Sequence, residues 1–174
     1  MLRLFLLRHA KAIPYAGRDD YERTLTERGR ADAALMAGYV VSHEMEPDLL
    51  LHSGAARTKE TAEIVLRKMP SGIEVSVDPN IYEANRPTLM EIIHDLPEDS
   101  PTVMIVGHNP GMADLARHLA GRGDASQIAK MTLKFPTSGL AALEFSGHSW
   151  SDVRAHSGSL VAFVTPAALG GEDQ

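Results

Sequence analysis

The chain has 174 residues, 44% of them hydrophobic, no cysteine and a formal net charge of −6. That length suits one domain, residues 1–174, burying roughly 70% of its unfolded surface, and the lack of cysteine excludes thiol catalysis, disulfide frameworks and thiolate metal sites. The acidic balance argues against a nucleic-acid surface, which depends on clustered Lys and Arg, yet a local basic pocket for a small phosphate remains compatible with it.

The first element is Leu2-Arg3-Leu4-Phe5-Leu6-Leu7, an apolar run that stops at Arg8-His9-Ala10. Such a run reads as a strand buried on both faces, as in a parallel sheet. With Arg3 ahead and Ala10-Lys11-Ala12 behind, it superficially mimics a secretion signal. Its uninterrupted core Leu4–Leu7 is shorter than the roughly 7–15 apolar residues of a signal core, and no later stretch approaches the ~20 of a membrane span. The expectation is a soluble, unprocessed, cytoplasmic monomer with no membrane or nucleic-acid partner. A short loop, about residues 12–24, follows. It carries Asp19, Asp20 and Arg23 at the mouth of whatever pocket the strand end opens into, and no role is assigned to them.

Thr26 precedes a helix-favouring stretch from Glu27 to about His43. Leu49–Leu51 reads as the second strand, and Ala62, Val65, Leu66 and Met69 fall at helical spacing behind it. Ile73–Val77 reads as a third strand. Leu89, Ile92, Ile93 and Leu96 mark a helix, with Thr88 and Glu91 as its capping box. Val103–Val106 is a fourth strand. Asn109-Pro110 then supplies a cap residue and a proline in the first helical position, ahead of Met112, Leu115, Ala116 and Leu119. Strand and helix alternate to about residue 120, which predicts a mainly parallel sheet. Leu140–Phe145, a turn at Ser146-Gly147-His148, the Trp150 region and Leu160–Val164 predict an antiparallel C-terminal edge. The fold expected is α/β, three-layer αβα. Residues 170–174 are expected to fray.

Ligands in open α/β sheets bind beyond the carboxyl ends of the strands. Arg8 and His9 stand at the first such end. Arg57 opens the helix after His52-Ser53-Gly54-Ala55-Ala56. Glu83 lies in Tyr82-Glu83-Ala84 beyond the third strand, and His108 in Gly107-His108-Asn109-Pro110-Gly111 beyond the fourth. Singly, each has an ordinary reading: Arg57 as an ion-paired surface residue, His108 as a turn feature, Glu83 as a solvated carboxylate, His9 as a structural histidine. Parallel neighbouring strands would bring all five to one edge, and two arginines, two histidines and one acid suit phosphate chemistry. His52 reads as structural. His43, His94, His118, His148 and His156 are scattered without metal-ligand spacing. Gly147-His148-Ser149-Trp150-Ser151 misses a nucleophile elbow because Ser151 replaces the last glycine.

Leu7-Arg8-His9-Ala10 resembles the Arg-His-Gly signature of the histidine phosphatase superfamily, the phosphoglycerate-mutase-like fold. Leu25-Thr26-Glu27-Arg28-Gly29, Ser53–Ala62 and Val106–Gly111 resemble its following blocks in order. The short length, the Arg8–Ala12 opening and the Gly139-to-Pro166 ending are most similar to small SixA-like phosphohistidine phosphatases. The resemblance implies that His9 is a transiently phosphorylated nucleophile, that Arg8, Arg57 and His108 hold the phosphoryl oxygens, and that no metal or cofactor takes part. Ala10 departs from the signature's glycine, a change tolerable where φ is negative. Larger members use an acid from the segment that Glu83 matches, whereas the small phosphohistidine phosphatases lack a comparable one. The resemblance therefore implies a phosphatase acting on a phosphorylated protein histidine. Its alternatives are a small-molecule phosphomonoesterase with Glu83 as acid/base, or a phosphate- or phosphoprotein-binding module without turnover.

Overall fold

The computed structural model describes residues 1–17 and 19–171. Arg18, within the loop after the first strand, and residues 172–174 of the expected frayed end lie outside the described residues. Gly171 itself is tied back, its N–H donating to the Pro166 carbonyl at 2.8 Å.

Strand β1 (Leu2–Arg8) is central because its side chains are apolar on both faces. Leu2, Leu4 and Leu6 join one core cluster and Phe5 and Leu7 the other, the two-face burial expected of a parallel interior strand. It pairs parallel with β4 (Thr102–Gly107), and β4 in turn with β2 (Leu49–His52) and β2 with β3 (Glu74–Val77). On its other side β1 pairs antiparallel with β6 (Leu140–Phe145), which pairs antiparallel with β7 (Gly158–Val164). Outermost is β5 (Ala120–Gly123), parallel to β7. The order is β3-β2-β4-β1-β6-β7-β5, so only β6 runs against the rest.

Helices α1 (Glu27–Ser42) and α2 (Ala56–Arg67) cover the face carrying Phe5, Leu7, Met104 and Val106. Helices α3 (Arg86–His94), α4 (Gly111–Leu119) and α5 (Ala125–Leu133) cover the face carrying Leu4, Leu6, Val103 and Ile105. The three-layer α/β arrangement is the one the alternating pattern predicts. No helix among the described residues is long and apolar enough to cross a membrane.

Two start signals fall elsewhere than expected. Helix α3 begins at Arg86, three residues after Glu83, and its cap is Asn85, whose side chain accepts from the Thr88 N–H at 3.0 Å. Thr88 is thus inside the first turn and caps nothing. Asn85 wins because its short amide reaches the third helical N–H while Pro87, with no N–H to satisfy, fits the first turn. At α4 the cap position is Pro110, although Asn109 still contributes, its side-chain oxygen accepting from the Ala113 N–H at 3.1 Å. Thr26 caps α1 as expected, accepting from Gly29 N–H at 2.9 Å.

Strand β5 and helix α5 have no counterpart in the sequence expectation. Ala120-Gly121-Arg122-Gly123 carries no alternating apolar signal and becomes a strand through its backbone pairing with β7. In α5 only Met131 is buried, too little for a helical stripe.

Candidate active site

The carboxyl ends of β1, β2 and β4 and the start of α2 meet at one edge of the sheet. The Arg8 and Gly107 positions are paired partners at the ends of β1 and β4. His9, one residue on, donates its backbone N–H to the Gly107 carbonyl at 3.0 Å, so His9 and His108 emerge side by side. Their rings lie 5.4 Å apart between centroids. From the opposite side Ser138 clamps the Arg8-His9 pair, its N–H shared between the two carbonyls at 3.1 and 3.2 Å. The Ala10 N–H donates to Thr61 Oγ1 of α2 at 3.0 Å, and that hydroxyl donates to the Arg57 carbonyl at 2.7 Å. The strand end carrying Arg8-His9 and the helix carrying Arg57 are thereby fixed to each other.

His9 Nδ1 lies 2.7 Å from the Ala10 carbonyl oxygen. A carbonyl only accepts, so Nδ1 carries the proton and the Nε2 lone pair is left for attack. Burial pushes the His9 pKa down to about 3, against the Ala10 hydrogen bond and with help from His108, Arg57 and Arg8. The ring is therefore neutral, the nucleophilic form, at neutral pH.

Arg57 is buried, although it opens a helix. Its Nη1 donates to the Asp20 carbonyl at 2.8 Å and its Nη2 to the Asp20 carboxylate at 3.1 Å. That carboxylate also accepts from Arg23 Nε at 2.9 Å and from the Tyr82 hydroxyl. The Tyr82 hydrogen bond, with Arg57 and Arg23, holds the Asp20 pKa at about 2 against the opposing effect of burial. Burial, then Asp20, pushes Tyr82 up to about 12. Tyr82 stands edge-on to His108 at 5.3 Å and to Tyr21 at 5.1 Å, with the Arg57 guanidinium 5.8 Å from its ring centroid.

Arg8 donates Nη1 to the Phe135 carbonyl at 3.1 Å, a carbonyl it shares with Asn109 Nδ2 at 2.9 Å. Arg8 Nε, Arg57 Nε and His108 Nδ1 are buried and have no hydrogen-bond partner. Buried polar atoms without partners are uncommon and call for a ligand or another compensating feature. The two guanidinium N–H groups are donors that an anion would satisfy, and the His108 nitrogen lies in the same pocket. His108 is pushed down to about 4 by burial and then by Arg57, partly countered by Asp20.

Arg8, His9, Arg57 and His108 thus share one electrostatic neighbourhood. Glu83 is differently placed. It sits at positive φ (51°) in the turn before α3 and is exposed. Its neighbour Tyr82 connects that turn to His108, and Gly111 admits it, since a Cβ there would collide with the Ala84 carbonyl. His52 is structural, its Nδ1 accepting from the Gly54 N–H at 3.1 Å. Gly54 needs its glycine: φ is +87° and a Cβ would strike the Tyr21 hydroxyl. Sequence reasoning missed Asp20, Tyr82, Ser53 and Ser138. The acidic pair Asp19-Asp20 beside Arg23 was the one signal available for the first.

Two expectations arise here. Replacing Arg57 with alanine removes a guanidinium worth about 4 kcal/mol to a charge ~4 Å away at an effective dielectric of 20. At ~1.4 kcal/mol per decade, kcat/KM should fall on the order of a hundredfold or more, and lysine should not restore the paired donors. A chain that keeps its melting temperature and its activity would contradict this. Second, His9 and His108 both have pKa values below those of the unfolded chain. Between about pH 6.5 and about pH 5 the unfolded state takes up protons that the folded state refuses, so stability falls as pH falls through that window. Melting curves at about pH 7 and about pH 5 should show a drop that shrinks in His108→Asn, and an unchanged or rising midpoint would contradict it.

Residues 4–89 match the family described as the histidine phosphatase superfamily, branch 1. An uncharacterized protein of Mycobacterium tuberculosis is 33% identical over 164 residues, covering 92% of this chain and 99% of the relative. The chain belongs to the histidine phosphatase superfamily. Among solved structures, SixA of Agrobacterium tumefaciens, a phosphohistidine phosphatase by assignment, is 33% identical with a TM-score of 0.80, covering 95% of this chain and 98% of its own. The protein histidine phosphatase SixA complexed with tungstate shares the fold at 23% identity and a TM-score of 0.76, covering 97% and 99%. A mycobacterial glucosyl-3-phosphoglycerate phosphatase shares it more distantly, at 18% identity and a TM-score of 0.60, covering 92% and 97%. The family match and the 33% identical SixA structure support a phosphatase function for this chain.

Proposed function

We propose that this protein is a phosphohistidine phosphatase that removes the phosphoryl group from a protein histidine through a covalent phospho-His9 intermediate. The observation that carries the reading is the neutral, buried His9 whose proton is held on Nδ1 by the Ala10 carbonyl, beside unpartnered buried nitrogens of Arg8, Arg57 and His108. His9 Nε2 attacks phosphorus, the new N–P bond forms as the bond to the leaving imidazole breaks, and a proton returns to that imidazole. Water then attacks the phospho-His9 phosphorus, releasing inorganic phosphate and regenerating His9. Phosphoryl transfer asks mainly for in-line positioning and neutralised oxygens. Arg8 and Arg57 supply that neutralisation, with His108 beside them as the third phosphate-binding residue, and the scheme uses no metal or cofactor. Glu83 is the acid/base at the leaving group. The chain, free of cysteine, works as a cytoplasmic monomer in this reading.

The second reading, a small-molecule phosphomonoesterase, is favoured by the exposed carboxyl of Glu83 next to Tyr82, because an alkoxide leaving group needs a proton donor. Parallel assays on a histidine-phosphorylated protein and a panel of sugar, nucleotide and acyl phosphates separate the two. The expected result is turnover of the phosphohistidine protein, with Glu83→Gln costing less on it than on any ester. Turnover of metabolites alone would replace the first reading by the second.

A further inference from the structure

The hydroxyl groups behind His108 fix where its proton sits. Thr58 Oγ1 donates to the Ala55 carbonyl at 2.9 Å, which uses the only proton that hydroxyl has. At the 2.7 Å contact between Ser53 and Thr58, Ser53 must therefore be the donor. Its single proton is then also committed. Ser53 Oγ accepts from the Ala55 N–H at 3.3 Å and lies 2.7 Å from His108 Nε2, so at that last contact Nε2 must carry the proton. His108 is left with its lone pair on Nδ1, which is buried and has no partner. A buried histidine kept only for structure usually leaves no buried ring nitrogen unpaired. This one saturates the first through a closed chain and leaves the second bare, 5.4 Å ring to ring from the nucleophile.

We propose that Ser53, backed by Thr58, is a positioning residue that sets the tautomer of His108 and so makes Nδ1 the atom that meets the phosphoryl group, with one proton shared between them. The proposal rests on the phosphatase reading for its ligand, but not on which phosphate is the substrate. A bare Nδ1 facing a fully deprotonated phosphoryl oxygen would oppose two lone pairs. The complex must hold one proton more than free enzyme plus dianion, whether it arrives on phosphate or on the ring. The charged and titratable neighbours of the ring are Arg57, Asp20, Arg8, Arg23, His9 and Tyr82. Burial keeps the unliganded ring neutral in the physiological range.

Long-range proton–nitrogen NMR of the labelled full chain reads the tautomer directly. Free enzyme at neutral pH should show His108 with hydrogen on Nε2 and a bare Nδ1. Inorganic phosphate should convert Nδ1 to a hydrogen-bonded nitrogen, and its binding at mildly alkaline pH should take up about one proton. Ser53→Ala should give a tautomer mixture and lower kcat on para-nitrophenyl phosphate about tenfold or more. Thr58→Val frees the Ser53 proton and should move hydrogen from Nε2 toward Nδ1 with Ser53 still in place. Hydrogen on Nδ1 in the wild type, or an unaltered tautomer in both variants, would overturn the proposal. An Nε2–H ring indifferent to phosphate would overturn its phosphate-facing half. Should the tautomer and the phosphate response appear in a chain that turns over no phosphoryl compound, the proposal stands and the phosphatase reading fails.

Discussion

His9→Ala should abolish turnover and covalent labelling together while the protein stays folded. His9 lies beyond the last residue of β1, is mostly buried, and is anchored by its backbone to Gly107 and Ser138, contacts that alanine keeps. What alanine removes is the Nε2 lone pair aimed by the Ala10 hydrogen bond. Without it the pocket keeps Arg8, Arg57 and His108 but has no group to split one difficult displacement into two easier ones. The expected residual is that of a charged pocket alone, at least a thousandfold below wild type by analogy with nucleophile deletions elsewhere. Stopped-assay kinetics with a melting curve on the same sample check it. Activity within tenfold of wild type would remove His9 from the chemistry.

Leu6→Asp should prevent folding altogether. Leu6 is fully buried, paired with Ile105 of β4 on one side and Ala141 of β6 on the other. Losing a buried leucine costs about 2–5 kcal/mol, and burying a carboxyl with no partner adds several more. Total stabilities are only about 5–15 kcal/mol, so the two losses together consume most or all of it. Val161→Asp, on β7 with the side chain 49% exposed, introduces the same group without the burial and should melt near wild type. Circular dichroism and gel filtration of the pair make the comparison. A cooperative, soluble Leu6→Asp variant would show that the β1 core is not what holds the sheet together.

The parts of the fold that could be read in advance are those whose side chains carry the information. β1 and β4 are continuous apolar runs because both faces are covered, and Arg8-His9 and His108 follow from where such runs stop. β5 could not be read, since Ala-Gly-Arg-Gly is a strand by virtue of β7 beside it. The cap of α3 was misplaced because Thr88-Glu91 and Asn85 both offer a signal, and only the backbone decides which one reaches a free N–H. At the site, the phosphate-suited residues were legible as types at strand ends. Asp20 was not, because its contact with Arg57 spans 37 positions and the one local signal, Arg23 three residues on, says nothing of that partner. The direction of the Ser53–Thr58–His108 chain lies further from view, since it depends on counting hydroxyl protons across three elements. Glu83 stands between these cases. The sequence singles out the segment, and the structure puts that segment against His108 through Tyr82 while leaving the carboxyl exposed.

The proposed covalent step at His9 is tested most directly by quenching turnover of a radiolabelled histidine-phosphorylated protein in alkali and mapping the label by peptide. An acid-labile, alkali-stable phosphoryl group on the peptide containing His9, absent when that residue is alanine, is the predicted result. Label on a serine or another histidine, or steady turnover with no labelled enzyme under conditions that trap an N-phosphoryl group, would contradict it.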